Sequence, residues 1–72
     1  MQTNIDTGFI NAYNDFKGFG FIRRNKGKDV FFSIDDFNGE IKNIVIGLSI
    51  TFEVVSKTKG PRAYNIRVTP EK

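Results

Sequence analysis

Five short runs of β-branched and aromatic residues, each closed by a turn signal, occupy 32 residues of this 72-residue chain. Isoleucine, valine, phenylalanine and threonine are abundant and alanine and leucine nearly absent, the mix that suits a pleated, half-buried surface. The first run spans Gly8 to Tyr13 and stops at the turn pair Asn14-Asp15. The second spans Gly18 to Arg23 and leads into a hairpin loop around Gly27. The third is Asp29 to Ile34; an irregular stretch follows to Gly47, with one helical turn expected near Asp35 to Phe37. The fourth is Ser49 to Val55, and a loop ending at Pro61 leads to the fifth, Arg62 to Val68. Alternation assigns Ile50, Phe52 and Val54, and then Tyr64, Ile66 and Val68, to the core. Thr51, Glu53, Asn65 and Arg67 are left to water. Five strands and no amphipathic helix fit a small, all-β, partly open five-stranded barrel of the OB type; an SH3-like barrel is the alternative.

A chain of this length makes one domain, with its core expected between about Gly8 and Val68. Such a domain buries only about 60% of its unfolded surface. The chain has neither cysteine nor histidine, so disulfides and cysteine or histidine metal sites are excluded and packing alone must hold the fold. No cofactor is expected. No apolar run approaches the ~20 residues that span a membrane, and the start, Met1 to Gly8, lacks the pattern of a signal peptide. A cytoplasmic monomer is the expectation. Eleven basic against 8 acidic side chains give a net charge of +3. Arg23, Arg24, Lys26 and Lys28 form one basic cluster; Lys57, Lys59 and Arg62 form another; Asp35, Asp36 and Glu40 are acidic between them. Clusters of this kind are most often solvated loops.

The stretch Lys17 to Ile22, Lys-Gly-Phe-Gly-Phe-Ile, sharpens the reading. Lys17, Phe19 and Phe21 share one face of a strand, and Gly18, Gly20 and Ile22 the other. Phenylalanines in a strand are usually core, but that choice would leave two glycines and an isoleucine outside. With the glycines inside, at a bend where backbones come close, the two rings stand outside beside a lysine. Single-stranded nucleic acid uses such a surface: bases stack on rings while cations meet the backbone. In the third strand one phenylalanine goes in and one out. Phe32 is assigned to the core with Val30, and Phe31 to the outer face with Ser33, although alternation alone also admits the reverse.

These residues resemble the cold-shock domain family. The family's first ribonucleoprotein motif is intact at Lys17 to Ile22; its second is altered at Val30, Phe31, Phe32, Ser33 and Ile34; and its late Gly-Pro-x-Ala-x-Asn-Val signature matches Gly60 to Ile66. The RRM fold carries a string like the first motif, but needs two helices and places it in the second half of the domain. The resemblance implies an antiparallel OB-type barrel that binds single-stranded RNA or DNA with low sequence specificity, often as an RNA chaperone. It implies stacking roles for Phe19, Phe21 and Phe31, polar contacts from Lys17 and Asp29, and a basic contact from Lys59.

Several positions depart from the family's pattern. The usual Lys-Trp-Phe-Asn of the first strand is Asn11, Ala12, Tyr13, Asn14. The histidine and second phenylalanine of the second motif are Ser33 and Ile34, and a loop aromatic aligns with Ile41. Each base–aromatic stack is worth ~1–3 kcal/mol, so losing two or three weakens binding by a factor on the order of hundreds. Compensation is expected from the charge of Arg23, Arg24, Lys26 and Lys28, from arginine stacking on bases, from Tyr13 as a retained aromatic, and from an outward Phe9; Asn11, Ser33 and Arg62 are further expected contacts to the strand. A protein-interaction module on a drifted scaffold is the alternative, favoured by the lost aromatics and the acidic residues. An enzyme is not expected: adjacent Asp35 and Asp36 do not face each other, and no acid/base pair or phosphate-cradling loop is present.

Overall fold

The computed structural model describes residues 4–37 and 44–69; Glu40 and Ile41 lie outside them. Five strands, β1 (Asn4–Asn14), β2 (Phe19–Arg24), β3 (Val30–Ser33), β4 (Ser49–Lys57) and β5 (Gly60–Val68), close into a barrel in the order β1-β2-β3-β5-β4. All neighbours run antiparallel except β3 and β5, whose parallel pairing of Phe31 with Arg62 closes the barrel instead of leaving it partly open. Among the described residues no helix is long and apolar enough to cross a membrane.

β1 makes the closure possible because it is long and irregular. Its first half pairs with β4 and its second with β2, and the two ladders overlap at Gly8 and Phe9. A Cβ at Gly8 would land on the Arg23 carbonyl oxygen, so only glycine lets β2 approach there. The strand starts at Asn4 rather than Gly8, because the β4 ladder recruits residues whose own pattern is polar. β3 stops at Ser33 rather than Ile34. The Ser33 hydroxyl accepts from the Asp35 N–H at 3.3 Å, and Asp36 Oδ2 accepts from the Ser33 N–H at 3.0 Å, a reciprocal cap on the short 3₁₀ turn Ile34–Asp36. The helical turn expected beside Asp35 is this one.

Ile10, Ile22, Val30, Phe32, Ile50, Phe52, Ala63 and Ile66 are all at most 1% exposed and form the core. Gly20 is buried opposite Tyr13, as the inward placing of the glycines requires. Gly18 lies in the turn just before β2.

Two bulges change the side-chain parity. The β1–β2 register shifts between Ile10 and Ala12, leaving Asn11 unpaired. As a result Tyr13 turns inward, and its ring lies 5.9 Å from Phe32 at 12°, capping the core instead of joining the outer face as expected. In β5, Arg67 pairs with Thr51 and Tyr64 with Glu53, so Asn65 and Ile66 together oppose Phe52. Asn65 takes φ +50°, a left-handed conformation that asparagine tolerates better than most residues. This corrects the expected core of β5: Ala63 and Ile66 go in, Tyr64 turns out, and Val68 is 49% exposed at the barrel end.

Candidate nucleic-acid interface

With the core closed by Phe32 and Ile22, the outward residues of β2 and β3 are paired across the ladder. Phe19 faces Ser33, and Phe21 faces Phe31. The ring centroids of Phe19 and Phe31 are 5.7 Å apart, and those of Phe21 and Phe31 5.9 Å apart. Phe31 is therefore the centre of a three-ring surface, with Phe21 40% exposed. Phe31 and Phe32 are divided as the sequence assignment has them. Ala12 pairs with Phe21 on β1, so the place of the family's tryptophan is a small, open side chain beside the platform.

Polar groups border the rings. Lys17 is exposed in the β1–β2 turn, where its N–H donates to Asn14 Oδ1 at 3.0 Å. At the other end Arg23 Nε donates to Asp29 Oδ1 at 2.7 Å, and Asn11 Nδ2 to Asp29 Oδ2 at 3.4 Å. The Asn11 bulge thus brings three of the candidate residues together. Phe9 pairs with Arg23 in the β1–β2 register and is 41% exposed, so it stands outward next to this group.

The hydrogen bond from Arg23 holds the Asp29 carboxyl below the usual carboxylate range. Desolvation opposes that shift, while the Arg23 charge and the Asn11 bond add to it. A carboxylate lowered on folding adds stability above its unfolded pKa, and this is lost as the pH falls through the lower folded value. Arg23→Ala is expected to raise the Asp29 pKa toward an ordinary aspartate. NMR of the carboxyl carbon against pH reads this; an unmoved midpoint would show that Arg23 does not set it.

Arg24 does not join the platform. It has the inward parity of β2 and reaches the barrel end, where Nη1 lies 3.5 Å from Asp6 Oδ2 and Nε donates to the Lys28 carbonyl at 2.9 Å. Its side chain is 18% exposed. The partner, Asp6, belongs to the part of β1 that the sequence reading left outside the strand.

On the far side of Phe31 stands Arg62. Its guanidinium carbon lies 5.3 Å from the Phe31 centroid and 5.3 Å from that of Tyr64. Asp36 holds it through Nη2 to Oδ2 at 3.1 Å and Nε to Oδ2 at 3.3 Å. Asp36 is thus consumed by a cap and an ion pair, with 9% of its side chain exposed, and adds little to an open acidic patch. A groove of about 750 Å³ runs between the rings and the β4–β5 turn, lined by Phe21, Phe31, Tyr64, Pro61 and the cations Lys57, Lys59 and Arg62. Tyr64 and Lys57 were not among the residues expected at the site. The signal for Tyr64 was Asn65, a residue suited to a bulge that reverses the alternation.

Comparison with known proteins gives the family. The 'Cold-shock' DNA-binding domain family model matches residues 6–69. The Retron Se72 cold shock-like protein of Salmonella heidelberg is 42% identical over 65 residues, covering 88% of this chain and 97% of that one. A cold shock-like protein of Aquifex aeolicus is 41% identical over 66 residues, covering 89% and 94%. The solved structure of drosophila Unr CSD456 superposes with a TM-score of 0.79 at 24% identity, over 93% of this chain and 27% of that longer one, and supports the fold. The chain belongs to the cold-shock domain family, whose members generally bind nucleic acid.

Proposed function

We propose that the outer face of β2 and β3 binds single-stranded RNA or DNA with low sequence specificity, and that the protein acts as a cytoplasmic, monomeric RNA chaperone without catalysis. The observation that carries this reading is the cluster of Phe19, Phe21 and Phe31, with centroid spacings of 5.7 and 5.9 Å, left outside a core that is complete without them. A core phenylalanine has to be covered; here Arg62 lies over Phe31 instead, and exposed Lys17 and Arg23 stand before and after Phe19 and Phe21 in the chain. Bases supply flat apolar faces for the rings, and phosphates meet the cations. Binding is weaker than in members with a fuller aromatic set, because Ala12 and Ser33 give a base little to stack on.

The test is a titration of labelled heptathymidine and heptauridine over a range of salt concentrations. The logarithm of the affinity is expected to fall with the logarithm of salt, with a slope of about −0.7 for each phosphate neutralised. Affinity that does not change with salt would contradict a phosphate-contacting role for the basic border. The contrast between the two oligomers gives the preference for DNA or RNA.

A further inference from the structure

The bulge at Asn65 has a consequence for the β4–β5 side of the groove. Bulges re-aim side chains, and this one moves an aromatic ring from the core side to the surface. The core does not need that ring, because Ala63 and Ile66 already fill β5's inner positions. Outside, Tyr64 has two cations near its ring: Arg62, at 5.3 Å from its centroid, and Lys57 Nζ, at 5.6 Å. Arg62 is shared with Phe31, so Phe31, Arg62, Tyr64 and Lys57 form one continuous row. Arg62 is already paired with Asp36. Among the described residues neither Lys57 nor Lys59 pairs with a carboxylate.

We infer that the groove beside Tyr64 is an additional nucleotide subsite, in which one base stacks against Tyr64 and the Arg62 guanidinium while its phosphate is met by Lys57 and Lys59. The inference rests on the proposed single-strand binding. A flat, polarisable ligand that carries an anion satisfies both halves of this surface: ring and guanidinium planes accept a base, and the lysines hold an excess of positive charge. The groove volume of about 750 Å³ lies in the range of sites that enclose a small organic ligand. Asp36 fixes the guanidinium before any ligand arrives, so little ordering is left to binding. Glu53 stands opposite Tyr64 on β4, which directs the phosphate toward the Lys57–Lys59 side. The strand bound on Phe19, Phe21 and Phe31 then continues across Arg62 onto β5 and gains one nucleotide of site size.

The experiment uses thymidine oligomers from tetra- to octathymidine with wild type, Tyr64→Ala, Tyr64→Phe and Phe31→Ala, each checked by thermal melting. Tyr64→Ala is expected to lower affinity for the longest oligomer about tenfold and to shorten by one nucleotide the length at which affinity levels off. Tyr64→Phe keeps the ring and is expected to bind like wild type. A direct readout is also available. The chain has two tyrosines and no tryptophan, so in a Tyr13→Phe variant all tyrosine emission comes from Tyr64, and stacking of a base is expected to quench it. Wild-type length dependence in Tyr64→Ala, together with unquenched emission while Phe31→Ala loses affinity, would overturn the subsite and leave the platform standing. Absence of binding by folded wild type at every length would overturn both.

Discussion

Gly20→Ala is expected to unfold most of the protein's stability margin. The added Cβ would land on the Ala12 carbonyl oxygen and come within 2.9 Å of both Phe32 Cε1 and the Tyr13 Cα. Two of these three neighbours are backbone, held in place by the β1–β2 ladder, so no side-chain rotation relieves the clash. Overpacking a tight core costs about 1–3 kcal/mol, and the upper end applies where the obstacle is main chain. Domains hold only about 0.05–0.15 kcal/mol per residue, so a chain this short has on the order of 5 kcal/mol in total. A loss of about 3 kcal/mol lowers the melting temperature by about 15 °C. Circular dichroism melting of the variant measures this. A melting temperature within a few degrees of wild type would mean that β1 does not press on Gly20 as the barrel requires.

The second large effect is on binding. Replacing both Phe19 and Phe21 by alanine removes two of the three rings and leaves Phe31 with no aromatic neighbour on β2. At ~1–3 kcal/mol for each base–aromatic stack, the pair is expected to lower oligonucleotide affinity by a factor on the order of 100 or more. The fold is expected to survive, because neither ring belongs to the set of buried core residues. Loss of binding with little change in melting temperature separates a surface built for a ligand from one built for packing.

Much of this arrangement is legible in the sequence where strict alternation holds. Gly20 and Ile22 point in and Phe19 and Phe21 out, because β2 is regular from end to end. Phe31 and Phe32 divide in the same way, since β3 pairs with β2 without a shift. The reading fails where a residue is inserted into the ladder. Past Asn11, parity reverses and turns Tyr13 inward against the core; the Asn65 bulge puts Tyr64 and Ile66 on opposite faces, so that Ile66 goes in while Tyr64 turns out. An asparagine at each bulge is a faint signal, because asparagine is common in turns and loops as well. Arg24 is a third kind of miss. Its charge is plain in the sequence, but its partner Asp6 joins the barrel only through the β1–β4 ladder, a long-range pairing that no local pattern announces.

The three-ring surface is tested most directly by fluorescence anisotropy of labelled heptathymidine at low salt, titrated with wild type and with the Phe19→Ala, Phe21→Ala double variant. The expected result is saturable binding by wild type and its near-complete loss in a variant that still melts cooperatively. Equal binding by the two folded proteins, or none by wild type, would contradict the assignment of this face to nucleic acid.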